Sequence, residues 1–84
     1  MKRALSENKL ISVIFNNQDD NYLSVICRES EKFENIEKKY FDKYPDQKQE
    51  NNIFEFEGIT IDNSNKDKTL KELNIKDNTL IMLK

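Results

Sequence analysis

With 84 residues, 36% hydrophobic and 36% charged, and a net charge of −2, the chain makes one domain with a modest core and a densely charged surface. It has no histidine, one cysteine and one glycine, which removes the usual neutral-pH base, the commonest transition-metal ligand, internal disulfides and glycine-rich phosphate loops. No apolar run approaches the roughly 18 residues of a membrane span, and the charge balance gives no reason to expect affinity for nucleic acid or anionic lipid.

Taken in order, residues 1–9 are polar, mixed in charge and aperiodic, and read as a disordered leader before a domain at 10–84. Residues 10–15 are rich in β-branched side chains, and alternation sends Ile11, Val13 and Phe15 to one side of a strand, with Ser12 and Ile14 on the other. Asn16-Asn17-Gln18-Asp19-Asp20-Asn21 is a set of turn formers. A second alternating run, 22–27, has Leu23, Val25 and Cys27 in phase, so the two runs form an antiparallel hairpin.

The period then changes to that of a helix. Ser30 is placed to cap it, Glu31 suits the positive end of its dipole, and Phe33, Ile36 and Tyr40, continued by Phe41 and Tyr44, form one apolar stripe. Pro45 ends a helix of about 14 residues, a typical globular length. A polar connection leads to a strand at 53–56, with Phe54 and Phe56 on one face and Glu55 and Glu57 on the other. Gly58 supplies the positive φ of a sharp turn into a short strand at 59–61. A long polar loop follows, in which Lys66 and Lys68 are exposed and open to modification. Thr69 then caps one helical turn at 70–73, and residues 79–83 form the last strand.

A hairpin, one long helix and three further strands give an α+β order in which the helix crosses one face of a mixed sheet of four to five strands, a β-grasp layout. The expected inward set is Ile11, Val13, Phe15, Leu23, Val25, Cys27, Phe33, Ile36, Tyr40, Phe54, Phe56, Ile61, Leu70, Ile75, Leu80 and Met82. Cys27 reads as an inert buried thiol, and Tyr40, Phe41 and Tyr44 as core packing rather than a stacking platform.

Several stretches resemble a known family. Phe33-Glu34-Asn35-Ile36-Glu37-Lys38-Lys39 is similar to the helix start of ubiquitin. Phe54-Glu55-Phe56-Glu57-Gly58, followed by Thr69-Leu70-Lys71-Glu72-Leu73-Asn74-Ile75 and Thr79-Leu80, resembles the C-terminal half of ubiquitin-like domains. The likeness spans residues 10–84, and the FEFEG turn, the TLKELNIKD spacing and the polar leader are most similar to SUMO and SUMO-like domains.

The resemblance implies a β-grasp fold and a protein that acts by being recognised or by conjugation through a C-terminal diglycine. Since the chain stops at Met82-Leu83-Lys84, the expectation is a non-enzymatic, cytoplasmic or nuclear interaction domain of a larger protein. The alternative is a conjugatable modifier whose diglycine tail is absent from this chain. No cofactor or metal is expected; the partners are proteins, not nucleic acid or membrane, and the domain is a monomer.

Two surfaces are implied. On the outer sheet face, Glu55 stands where ubiquitin presents its binding isoleucine, and alternation sends Ile14, Ile53, Ile81 and Leu83 outward beside it. In the SUMO manner, an extended peptide segment would add to the second strand in a groove walled by the helix, here formed by Tyr22, Ser24, Ile26 and Arg28 with Lys39 and Lys43. Ser24 and Ile26 replace basic residues of SUMO, which weakens the preference for acidic flanks.

Overall fold

A computed structural model describes residues 9–84. Its elements are β1 (Leu10–Asn16), β2 (Tyr22–Arg28), α1 (Phe33–Lys43), a 3-10 turn (Pro45–Gln47), β3 (Phe54–Phe56), β4 (Ile59–Ile61) and β5 (Thr79–Leu83). They form one mixed sheet in the order β2-β1-β5-β3-β4, in which β1 and β5 run parallel and the other neighbours antiparallel. This is the expected α+β, β-grasp architecture. The leader expected at 1–9 lies, apart from Lys9, outside the described residues.

The core is aromatic. Phe15 of β1, Phe33 and Tyr40 of α1, and Phe54 of β3 are all 0% exposed. Their rings interlock, with centroids 5.0 Å apart for Phe15 and Tyr40, 5.2 Å for Phe33 and Phe54, and 5.7 Å for Phe15 and Phe54. Such pairs add about 0.5–1.5 kcal/mol each beyond the burial of their area. They fix α1 across the sheet at the centre of the β1, β5 and β3 strands.

The β1–β2 turn is built on a buried asparagine. The Asn17 carbonyl side-chain oxygen accepts from the amides of Asp19 (2.9 Å) and Asn21 (3.2 Å), while its Nδ2 donates to the Tyr40 hydroxyl at 3.0 Å. One side chain thus satisfies the turn's amides and ties it to the helix. At the other hairpin, Glu57 and Gly58 have φ of +48° and +80°. Two positive φ values in a two-residue loop are the type I′ signature, whose twist suits the flanking strands.

Three local expectations change in the fold. The helix has 11 residues, beginning at Phe33, and Ser30 does not cap it. Its first amides are met instead by main chain from the long loop, since Phe33 N–H donates to the Lys68 carbonyl and Glu34 N–H to the Lys66 carbonyl, each at 3.0 Å. Tertiary contact here supplies what a side-chain cap would have given.

The same loop corrects Lys66, which is only 8% exposed: its ammonium pairs with Glu37 and stands 5.4 Å from the centre of the Phe54 ring. An ion pair over an aromatic face compensates for the burial of the charge. Lys68 remains exposed.

The third correction is the phase of β5. Ile81 and Leu83 are buried, at 0% and 5%, whereas Leu80 and Met82 are 45% and 47% exposed. The cause is register: Ile81 lies beside inward Phe15 and Leu83 opposite inward Phe54. Paired residues share a face, so the outward expectation for Ile81 and Leu83 and the inward one for Leu80 and Met82 are both reversed. Just before β5, Thr69 and Glu72 form the expected cap, with Glu72 N–H donating to Thr69 Oγ1 (3.1 Å) and Thr69 N–H to Glu72 Oε1 (2.9 Å).

Candidate functional site

Among the described residues the sheet has two open edges of unlike length. β4 has three residues, whereas β2 has seven, each paired with β1 in unbroken register from Leu10↔Arg28 to Asn16↔Tyr22. Which main-chain groups of β2 point outward follows from the ends of this ladder. Glu29 N–H donates to the Lys9 carbonyl at 3.4 Å, and Asn17 N–H to the Asn21 carbonyl at 3.2 Å. Bonded pairs recur at every second residue in an antiparallel ladder. Leu23, Val25 and Cys27 therefore turn their amides and carbonyls to β1, and Tyr22, Ser24 and Ile26 turn theirs to the open edge. Arg28 has the same parity, but it ends the strand and its carbonyl accepts from Glu31 N–H at 3.0 Å.

Beside this edge, between β2 and α1, lies an open cleft of about 450 Å³ lined by Leu23, Ser24, Val25, Ile26, Lys39, Asp42 and Lys43. Of the six groove residues expected from the sequence, Ser24, Ile26, Lys39 and Lys43 come together here, and Tyr22 and Arg28 stand at the strand ends. Leu23, Val25 and Asp42 were not foreseen. The first two belong to the inward phase and become groove floor only because β2 is an edge, which depends on sheet order. Asp42 lies one helical turn after Lys39, and that spacing was available as a signal.

The outer sheet face is the second candidate surface. Side chains of Tyr22, Ser24 and Ile26 point there, next to Asn16, Ile14 and Ser12 of β1, and Leu80 and Met82 of β5 continue the rows. Tyr22 and Ile26 are 62% and 61% exposed; Ile14 is half-buried and Ile53 exposed. Glu55 faces outward opposite Met82, as expected, and pairs with Lys84 at 2.9 Å. Gly58 sits at the adjoining turn, where a cleft is lined by Glu55, Glu57, Leu80 and Met82. Ile81 and Leu83 take no part in this face.

The titratable groups near these surfaces are structural. Cys27 is 3% exposed, and burial pushes its thiol up from 9.0 to about 11, with nearby Glu31 adding to the rise and Lys39 opposing it. A thiol held protonated is a poor nucleophile. The Tyr40 hydroxyl is raised above 10.0 by burial, against the opposing bond from Asn17. Glu72 is held below the usual carboxylate value by the Thr69 amide, as its capping role requires. Among the described residues no helix is long and apolar enough to cross a membrane.

No family model matches the chain, and no curated protein matches its sequence. Among solved structures, a designed protein based on ubiquitin matches with a TM-score of 0.73 at 16% identity, over 89% of this chain and 87% of that one. With the strand order and the helix packing, this gives the chain a ubiquitin-like β-grasp fold.

Proposed function

We propose that the chain is a non-enzymatic, SUMO-like interaction domain that takes an extended segment of a protein partner along β2, with α1 as the second wall. The observation that carries this reading is the outward row of main-chain groups on Tyr22, Ser24 and Ile26. These sit on a seven-residue edge strand that contains no proline, lysine or bulge to discourage strand addition. An added strand would bond to this row, lay alternate side chains over Leu23 and Val25, and meet Lys39, Asp42 and Lys43 from the helix. The mixed charge of that wall, with Ser24 and Ile26 on the strand, favours an apolar segment over a strongly acidic one.

The reading is tested by amide shift mapping with an apolar, β-branched peptide about six residues long, the span of a short strand. Shifts are expected at Tyr22, Ser24, Ile26 and the α1 residues Lys39 and Lys43. A titration that moves none of them would sink it. Shifts confined to Ile14, Leu80 and Met82 would instead favour the outer face, a second reading supported by the exposed apolar side chains there. The placement within a larger protein in the cytoplasm or nucleus belongs to the same proposal. A conjugated modifier needs a diglycine shortly after Lys84, and the flanking coding sequence decides between the two roles.

A further inference from the structure

We propose that the strand added along β2 is β2 of a second copy, paired antiparallel about a two-fold axis at Ser24, so that two five-stranded sheets become one. The inference rests on strand addition at β2 and narrows it to a single partner. A two-fold pairing of β2 with itself must bring outward main-chain groups opposite one another, and these belong to Tyr22, Ser24 and Ile26. Centred on Ser24, Tyr22 of each copy bonds with Ile26 of the other and Ser24 with Ser24, so that every amide and carbonyl of the three residues is used. A shift of the axis to Ile26 leaves Tyr22 outside the row and brings in Arg28, whose carbonyl already accepts from Glu31.

The side chains have the same symmetry. About Ser24 the strand reads Tyr-Leu-Ser-Val-Ile, a pattern apolar on both sides of a small polar centre. On the outer face, Tyr22 would lie against Ile26 of the second copy, and these are the two most exposed large apolar side chains among the described residues, at 62% and 61%. Facing the helix, half-buried Leu23 would meet Val25 of the second copy. Aromatic against β-branched is a favourable cross-strand pair, and it occurs twice by symmetry. The next residues outward, Asp20 and Arg28, carry opposite charges. The axis stands perpendicular to the sheet, so both helices lie on one side, and the stripe Lys39, Asp42, Lys43 carries both signs toward its copy. The monomer expected from the sequence would then be the dilute form of a self-pairing domain.

Sedimentation velocity from about 10 µM to 1 mM, the range of a weak association, should show the mass doubling. Over the same range, hydrogen exchange at the amides of Tyr22, Ser24 and Ile26 should slow, but not at the outer-face residues Leu80 and Met82. Ile26→Lys, an exposed position, should weaken the dimer by about tenfold or more. Ser24→Cys places two thiols about 5.5 Å apart at their Cα atoms, within disulfide reach. It should cross-link rapidly under oxidised glutathione, whereas Ile26→Cys, far from its own copy in this register, should not. Equal cross-linking at the two positions overturns the register and with it the proposal. A monomer at about 1 mM that still binds the apolar peptide overturns self-pairing and leaves strand addition standing. A monomer that binds neither removes both.

Discussion

The two faces of the sheet are made from the same strands and carry opposite chemistry. Phe15, Phe54 and Ile81 on the inner face are 0% exposed beneath α1, while Tyr22, Ile26, Leu80 and Met82 on the outer face are all more than two-fifths exposed. Neighbours such as Phe54 and Glu55, or Ile81 and Met82, differ only in the direction of one Cα–Cβ bond. The inner face holds the fold together through close ring packing. The outer face leaves Tyr22, Ile26, Leu80 and Met82 largely in water, where they add less to folding than buried side chains do.

The largest test of this contrast lies in β5. Ile81→Ala removes a fully buried side chain beside Phe15 and should cost about 2–5 kcal/mol by urea denaturation. Met82→Ala, one residue on, should change stability by no more than about 0.5 kcal/mol. Equal effects at the two positions would mean that β5 does not hold the register of Phe54 with Leu83 and Phe15 with Ile81.

That pair of residues also marks the limit of what the sequence makes legible. In β1 and β2, Ser12 and Ser24 label the outer face, so alternation identifies Val13, Phe15, Leu23 and Val25 as inward without ambiguity. Thr79-Leu80-Ile81-Met82-Leu83 has no such label: it is apolar in both phases, and only pairing with β1 and β3 chooses between them. The helix start is obscured for a related reason, because the carbonyls that cap it come from Lys66 and Lys68, more than 30 residues later in the chain. Lys66 itself reads as a loop lysine until the fold brings Glu37 and Phe54 to it. For the β2 groove, the resemblance to SUMO pointed to the strand side, but the floor of Leu23 and Val25 required knowing that β2 ends the sheet.

A smaller effect probes the inner face through protons. Because the folded Cys27 thiol is raised from 9.0 to about 11, its contribution to stability is fully present below pH 9. As pH rises from 9 to about 11 the unfolded thiol ionises and the folded one does not, so stability falls, by about 2–3 kcal/mol in all. Tyr40, raised for the same reason, extends the loss above pH 10. Urea denaturation of the native chain against Cys27→Ala isolates the thiol: the difference between them should shrink over that window. A difference independent of pH would place Cys27 in contact with water.

Gly58 tests the turn that carries the chain from β3 to β4. A Cβ there would meet nothing within 4 Å, so the cost of Gly58→Val is purely one of backbone, set by φ of +80°. A β-branched residue in that region should lose about 1–3 kcal/mol, and Gly58→Asn, which tolerates left-handed backbone, noticeably less. Thermal denaturation of the two variants reads the difference, and equal stabilities would exclude the type I′ geometry.

Glu55→Ile should have the smallest effect on folding and the clearest effect on surface chemistry. Glu55 lies on the outer face opposite Met82, and its ion pair with Lys84 is open to water, with side chains 41% and 55% exposed. A pair so exposed is worth no more than about 1 kcal/mol. Isoleucine returns part of that through its preference for strands, so the net change should stay within about 0.5 kcal/mol. The substitution joins Met82 and Leu80 into a wider apolar surface and restores the side chain that the resemblance to ubiquitin assigns to this strand. Shift mapping with a ubiquitin-binding peptide should then show contact at Ile14, Leu80 and Met82 that the native chain lacks. Unfolding of Glu55→Ile would reverse the assignment of faces in β3, whereas a folded variant that gains no contact would show that an apolar outer face does not suffice for ubiquitin-type recognition.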